Sequence, residues 1–184
     1  MKKITLAAAA AALFAMPAVA NAQAYVQVTG GYDNASYFDD VNSDGFDYGA
    51  AAGYELPVSN ALFVGVEATV AGSTGKKCYG DADTGRLCMK TGRDLAAVVR
   101  VGTNVGANSK LYVLAGYTNG RVTASYEDAD MKMKASGNGD GLRLGAGFEQ
   151  DLGHNMFGKI EYRYSNYEGG FSRNQALAGF GIKF

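Results

Sequence analysis

From position 24 onward, apolar residues alternate with glycine, polar and charged residues with a period of two. In the last run of this kind, one set of alternate positions is aromatic or aliphatic: Ala178, Phe180, Ile182 and Phe184. The other set contains two glycines, a leucine and a lysine: Leu177, Gly179, Gly181 and Lys183. A β-strand places successive side chains on opposite faces, so this pattern predicts a strand with one apolar face.

Eight such runs follow one another, separated by turn-forming residues. They cover about 24–32, 46–56, 61–71, 94–102, 110 to as far as 126, 141–150, 156–164 and 177–184. Three connections are short, at 57–60, 103–109 and 151–155, and four are mostly longer, at 33–45, 72–93, 122–140 and 166–173. An even number of strands, with short turns at one end and long loops at the other, is typical of a transmembrane β-barrel. Both ends of the barrel chain then lie on the periplasmic side, with the short turns.

The two faces of these runs differ in charge and glycine content. The apolar face carries almost no charge, whereas the other face holds acidic and basic residues together with many glycines, such as Gly49, Gly65 and Gly145. Glycine packs nothing on an exposed strand, but it leaves room for long side chains inside a narrow barrel. Tyrosine and phenylalanine cluster towards the strand ends, as in the aromatic girdles at membrane interfaces. We therefore predict an all-β fold, an eight-stranded antiparallel up-and-down transmembrane β-barrel with its apolar face in lipid. The alternative is a soluble periplasmic barrel with the faces reversed.

The first 22 residues read as a cleaved secretory signal peptide. Lys2 and Lys3 precede an alanine-rich apolar stretch, and 20–22 are small residues suited to signal peptidase. The barrel domain is then 23–184. Removing Lys2 and Lys3 from the 17 basic residues leaves 15 against 18 acidic ones, and this negative balance argues against nucleic acid as a partner. No later stretch has the roughly 20 apolar residues that a spanning helix needs.

Cys78 and Cys88 are the two cysteines of the chain. An exported protein meets an oxidising compartment, so we predict a disulfide that closes a short loop between the third and fourth runs. A zinc site would need more ligands nearby, and the single histidine, His154, is far along the chain.

Recurrent glycine–aromatic steps, such as Gly53-Tyr54 and Gly179-Phe180, combine with the signal peptide, the eight runs and the terminal Phe184. In these features the chain resembles the small outer-membrane β-barrel proteins of Gram-negative bacteria, of the opacity-protein and outer-membrane protein A barrel types. The resemblance implies location in the cell outer membrane, among its lipid and lipopolysaccharide. It also implies that Phe184 is part of the signal that the outer-membrane assembly machinery reads.

Four charged residues of the inner face fall near mid-height of the predicted barrel: Glu67, Arg100, Arg143 and Glu161. Two acids and two bases can form a closed charge network. We interpret it as ion pairing that fills the lumen, because eight strands leave little open bore. The alternative is a salt-bridge gate over a narrow porin-like channel.

Two further motifs carry weaker signals. Asp40, Asn42, Asp44 and Gly45 match the first half of a calcium loop, but position 12 is Ala51 instead of glutamate, and the pattern also fits a turn. His154 lies in a short turn at the periplasmic end, away from the outer leaflet where lipid-modifying barrels act. We therefore predict no enzyme activity, no cofactor and no bound metal.

The longer loops are polar, and the second is rich in lysine and arginine, with Lys76, Lys77, Lys90 and Arg93. In the third, 122–126 and 131–135 are candidates to extend the fifth and sixth runs as a hairpin above the membrane. We predict a structural or surface-interaction role: envelope integrity, or adhesion to a host or cell-surface ligand through the extracellular loops. A narrow gated channel is the second candidate, and a lipid-modifying enzyme is the third.

Overall fold

The computed structural model describes residues 23–37, 41–81, 85–128 and 131–184; the predicted signal peptide, 1–22, lies outside them. In these ranges the regular structure consists of nine strands: β1 (Gln23–Tyr37), β2 (Val41–Pro57), β3 (Leu62–Ser73), β4 (Lys76–Tyr79), β5 (Arg86–Asn104), β6 (Ser109–Glu127), β7 (Lys132–Gly153), β8 (Met156–Tyr167) and β9 (Phe171–Lys183). None of the described residues forms a helix long and apolar enough to cross a membrane.

Eight of the strands form a closed antiparallel ring. Each of β5 to β8 pairs with the next strand, β9 pairs with β1, and β1, β2 and β3 follow in order. The pairing of β3 with β5 closes the ring, and the short β4 pairs with β5 beside it. Closure leaves no exposed sheet edge in the ring, as a membrane requires, and it confirms the predicted eight-stranded up-and-down barrel.

The distribution of side chains is the reverse of that in a soluble barrel. Apolar residues face outward, and the side chains of Val28 and Ile160 are 60% and 63% exposed. Charged residues face the lumen, where Arg100 and Asp33 are 0% exposed. The outward apolar surface meets lipid, and the inward polar surface fills the barrel.

Several strands continue further at the loop end than the sequence pattern predicts, whereas β6 ends at Glu127, close to the predicted limit of 126. Residues 33–37 of β1 pair with 41–45 of β2, so most of the predicted first loop is a hairpin. Beyond the register shift between Thr91 and Asp94, β5 pairs with both β4 and β6, and β6 pairs with β7 as far as Lys132. These paired segments are 76–79, 86–93, 121–127 and 132–138, and together we call them the β4–β7 extension.

The predicted disulfide lies within this extension. Cys78 and Cys88 are direct partners in the β4–β5 register, their Cα atoms are 4.0 Å apart, and their sulfurs are bonded. The disulfide therefore fixes β4 to the side of β5 above the barrel.

Candidate functional site

Arg100 lies at the centre of the lower lumen and contacts three carboxylates from three different strands. Its Nη1 is 3.2 Å from Glu55 Oε1 and 3.5 Å from Glu67 Oε2, and its Nη2 is 3.1 Å from Glu149 Oε2. Inward-facing positions on β2, β3 and β7 supply these acids, and the guanidinium also lies 3.9 Å from the centroid of the Tyr112 ring. A planar guanidinium with several donors suits such a crossing point better than an ammonium group.

Further ion pairs extend this cluster across the barrel. Glu67 contacts Lys159 at 3.7 Å and Arg163 at 3.3 Å, and both cations also pair with Glu161. We call the whole set the lower network; it comprises four carboxylates and five cations: Glu55, Glu67, Glu149, Glu161, Arg100, Lys110, Lys159, Arg163 and Lys183. Nearly all are fully buried, so each charge depends on its partners.

A second cluster, the upper network, fills the lumen towards the loop end. Arg173 on β9 lies within 2.8–3.1 Å of carboxylates from Asp33, Asp47 and Asp94. Arg143 on β7 pairs with Asp94, and its Nε donates to Ser165 Oγ at 2.9 Å. The upper network thus has three carboxylates and two cations, so the charges of the two networks together cancel.

Three of the four predicted network residues lie together, and one does not. Glu67 and Arg100 are in direct contact, and Glu161 joins them through Lys159 and Arg163. Arg143 belongs to the upper network, where it contacts Asp94 rather than Glu67 or Glu161. The role of these residues in the lumen stays a prediction. Alternation along the predicted runs already assigned most of the missed partners to the inner face, whereas Asp33 and Arg173 fell in the predicted loops 33–45 and 166–173. The height of each residue in the lumen is set by strand register, which alternation does not report.

Aromatic side chains cover both ends of the lumen. At the loop end, the Phe171 ring contacts the rings of Tyr37 and Tyr167 at centroid distances of 5.0 and 4.8 Å. At the turn end, Phe157 is 0% exposed and packs edge-on against Tyr25. The lumen is therefore filled along its length by ion pairs and closed by aromatic rings.

Several inward glycines are explained by these rings. A Cβ at Gly53 would collide with the Tyr25 ring, one at Gly147 with Tyr112, and one at Gly181 with Phe157. Covering a glycine with an aromatic ring from a neighbouring strand is a known device for β-barrels. Gly179, in contrast, lies beside the Lys159 side chain, as expected for glycines that make room for charged neighbours.

Exposed cations concentrate in the β4–β7 extension. Of the Lys and Arg residues that the structure describes, every one with an exposed side chain lies there: Lys76, Lys77, Arg86, Lys90, Arg93, Arg121, Lys132 and Lys134. Lys132 pairs with Glu127, and this contact lowers the pKa of the Glu127 carboxyl below its usual value. No other ion pair involves these cations within the described ranges.

The remaining candidate residues have structural surroundings. Asp40 lies outside the described residues, and Asp44 Oδ1 accepts hydrogen bonds from the Tyr32 hydroxyl and from Asn34 Nδ2 at 2.8 Å. Among the positions that the structure describes, no group of three or more His, Cys, Asp or Glu side chains is arranged to hold a metal. His154 and Asn155 have φ of 54° and 61° and form the two-residue β7–β8 turn, which matches the geometry of tight hairpins.

Phe184 lies at the lower end of the seam between β9 and β1. Its backbone N–H donates to the carbonyl of Ala24 at 2.8 Å, and its side chain is 71% exposed. Its part in the assembly signal stays a prediction.

The sequence matches the family described as outer membrane protein beta-barrel domain over residues 5–184. The chain belongs to this family. This outer-membrane β-barrel therefore resides in the outer membrane, as its exposed apolar belt also indicates. No curated protein matches the chain significantly.

Solved structures show the same fold in other outer-membrane barrels. The attachment invasion locus protein Ail of Yersinia pestis matches with a TM-score of 0.60 and 13% identity, over 88% of this chain and 98% of Ail. Ail in complex with the heparin analogue sucrose octasulfate matches with a TM-score of 0.59 and 15% identity, over 89% and 99%. Neisserial surface protein A matches with a TM-score of 0.59 and 19% identity, over 88% and 97%. At these identities the likeness establishes the shared architecture alone.

Proposed function

We propose that this outer-membrane β-barrel is a surface-contact protein that binds polyanions, such as sulfated or phosphorylated sugar chains, on the outer face of the β4–β7 extension. The observation that carries the proposal is the distribution of charge. The barrel holds its other Lys and Arg side chains in the lumen or half-buried at its rim, whereas the extension carries eight exposed ones. Such a one-sided cationic surface attracts anionic partners.

Strand register places most of these cations on one face. Lys76 on β4 is the direct partner of Lys90 on β5, and Lys134 on β7 lies in the neighbouring row, opposite Ser125. Strand register places Arg86, Arg121 and Lys132 on this same face. Lys77 points to the other face, towards the barrel axis. Lysines directly opposite each other repel, so this face is stabilised when an anion lies between them.

The paired strands and the disulfide give this face a defined shape. The Cys78–Cys88 bond joins β4 to β5 two residues from the Lys76–Lys90 pair. A preordered surface loses less conformational entropy on binding than a flexible loop does.

The filled lumen favours surface contact over the channel alternative. A conducting path would have to pass the Arg100 contacts and the ring contacts of Phe171. In planar bilayers we therefore expect no steady, ion-selective openings. The enzyme alternative has less support, because the single histidine forms a turn at the periplasmic end, far from the outer leaflet.

Titration of the full-length protein in detergent micelles with sucrose octasulfate tests the proposal. Ail has been crystallised with this compound, which serves here as a compact polyanionic probe. We expect binding that weakens as salt rises, because the attraction is between exposed charges. The Lys76→Ala/Lys90→Ala/Lys134→Ala variant should bind at least tenfold more weakly than wild type.

Lys77→Ala provides the matched control, since it removes the same charge from the opposite face of β4. It should lower the affinity far less than Lys76→Ala does. Absence of binding by wild type at low salt, or equal losses in Lys76→Ala and Lys77→Ala, would contradict the proposal. Steady single-channel openings by wild type would support the channel instead.

A further inference from the structure

A groove crosses the lipid-facing surface of β1, β2, β3 and β5. Its volume is about 770 Å³, and its floor consists of alanines from three neighbouring strands: Ala50, Ala52, Ala68 and Ala97. Ala52 is the direct partner of Ala68, and Ala68 of Ala97, so the small side chains form one continuous row. The groove is therefore built by register and is not a gap between mobile side chains.

Larger apolar side chains form the two walls of this groove. Val26, Val28 and Phe180 rise on the β1–β9 side, and Leu95 and Tyr117 rise on the β5–β6 side. These residues lie in the belt that meets hydrocarbon, where apolar burial gives no driving force because the surrounding lipid is equally apolar. Selective binding there depends on shape and on a polar anchor.

The groove continues towards the loop end and reaches two cations. A second cavity of about 690 Å³ shares Val28, Ala50 and Val70 with the first, and it extends to Lys90 and Arg93. Gly72 and Gly92 line this second cavity together with Tyr48, whose ring lies beside Gly72. On β5, Arg93 is four residues beyond Ala97, which corresponds to about 13 Å along the strand.

Both cations have unused capacity to bind an anion. Arg93 Nη2 donates to the neutral Asn119 Oδ1 at 3.1 Å, and in the described ranges no carboxylate lies within ion-pair distance of Arg93 or Lys90. Both side chains are exposed, and Lys90 also faces Lys76 across the strand pair. An anion positioned at this end of the groove meets arginine and lysine donors together, a favourable arrangement for phosphate.

We propose that this groove is a binding site for one phosphorylated lipid of the outer leaflet. An acyl chain lies on the alanine floor, and a phosphate group lies between Lys90 and Arg93. The two cations at one end of the groove favour a lipid with a phosphate over a lipid without one. The apolar groove runs away from these cations, so it can hold the acyl chain of the same lipid. The two proposed sites meet at Lys90, which also belongs to the polyanion-binding face, whereas the alanine floor lies within the membrane belt, away from that face.

Native mass spectrometry of the full-length protein released from micelles tests this site. The probes are bis-phosphorylated lipid A, the same lipid after removal of both phosphates, and inorganic phosphate alone. We expect one retained lipid A per barrel, at least tenfold less retention of the dephosphorylated lipid, and no retention of inorganic phosphate. Retention of inorganic phosphate alone would show an anion site without a lipid groove and would overturn the proposal.

Two substitutions separate the parts of the site. Ala68→Phe fills the floor and Arg93→Ala removes an anchor, and each should lower lipid A retention at least tenfold. The control is Ala146→Phe, which places the same bulk on the outward face of β7, away from the groove. A folded barrel is verified for each variant by its altered migration in dodecyl sulfate without boiling.

Equal retention by Ala68→Phe and Ala146→Phe, or no retention by wild type, would overturn the lipid site. Ala68→Phe should still bind sucrose octasulfate as wild type does, because the polyanion-binding face is untouched. The lipid proposal and the surface-contact proposal therefore fail independently.

Discussion

Strands β5, β6 and β7 cross two regions of the molecule, and their charged residues face opposite ways in each. Within the barrel, Arg100 points into the lumen, is 0% exposed and contacts three carboxylates. In the β4–β7 extension, Arg86 on the same strand points outward and is exposed. The same strand therefore holds one arginine as part of a packed interior and presents the other to solvent.

The difference follows from what surrounds each region. Hydrocarbon cannot solvate charge, so within the apolar belt the charged side chains of these strands, such as Asp94, Arg100 and Arg143, face inward and are paired. Above the membrane both faces meet water, and charges are free to remain exposed. Charges in the lumen therefore contribute to stability, and charges on the extension are available for binding.

The largest test of this contrast replaces each arginine by methionine. Arg100→Met leaves Glu55, Glu67 and Glu149 without their shared partner, and breaking a buried pair costs about 3–5 kcal/mol. Arg86→Met should change the free energy of unfolding by less than about 0.5 kcal/mol, as for an ordinary surface substitution. Urea unfolding in lipid vesicles, followed by far-ultraviolet circular dichroism, measures both. Similar losses in the two variants would contradict the division between lumen and extension.

The disulfide tests whether the extension is stabilised independently of the barrel. Replacing Cys78 and Cys88 together by serine should lower the local stability of β4 by about 3 kcal/mol, the amount that chain entropy gives for a loop of this size. Hydrogen exchange should quicken in the amides that pair β4 with β5. Amides of β8, which lies across the ring, should keep their protection. Loss of protection in β8 as well would show that the extension and barrel unfold as one unit.

Two glycines of β7 provide a packing test of the same contrast. A side chain at Gly147 would collide with the Tyr112 ring in the lumen, whereas nothing lies within 4 Å of a Cβ at Gly137 in the extension. Gly147→Leu should destabilise the barrel by about 1–3 kcal/mol through overpacking. Gly137→Leu should be nearly neutral or slightly stabilising in the same urea experiment. A neutral Gly147→Leu would mean that the lumen has room that the ring contacts do not indicate.

The sequence predicted the barrel well because hydrocarbon enforces strict alternation. The eight runs, their order and the lipid-facing parity of residues such as Val28 and Ile160 all agree with the structure. Above the membrane the alternation weakens, since neither face of a strand has to avoid water. For this reason 33–45 was predicted as a loop, although most of its residues are paired strands. In 122–140 only 122–126 and 131–135 were predicted to extend the neighbouring strands, whereas the pairing is continuous from 120 to 127 and from 132 to 139.

The arrangement of the lumen was only partly predictable. Parity along each strand assigns Arg143 and Asp94 to the interior, but their contact depends on how far β5, β6 and β7 are staggered in the ring. Stagger is set by pairing among all eight strands, which no local pattern reports. The groove on the outer surface was missed for the same reason, because Ala52, Ala68 and Ala97 become neighbours only through register.

The smallest expected effect concerns a carboxylate that is exposed and nevertheless has polar partners. Asp44, on the β1–β2 hairpin above the membrane belt, has its pKa lowered first by the Tyr32 hydroxyl and then by the Asn34 amide. The pKa of Asp44 is therefore lower in the folded protein than in the unfolded chain. These hydrogen bonds stabilise the hairpin fully at pH values above the unfolded-state pKa, and this stabilisation is lost as the pH falls through the folded-state pKa. Tyr32→Phe should raise the pKa of Asp44 towards the ordinary value of about 3.9.

Nuclear magnetic resonance titration of the Asp44 carboxyl measures that shift directly. Tyr162→Phe is the matched control, since its hydroxyl donates to the neutral Asn174 Oδ1 at 2.7 Å and should leave Asp44 unchanged. An Asp44 that titrates normally in wild type would mean that the hairpin above the membrane is open in solution. In that case the hydrogen-bonded geometry of the first hairpin would not persist in solution. The barrel and the segments above it would then differ in how ordered they are, and not in which face of the sheet carries the charges.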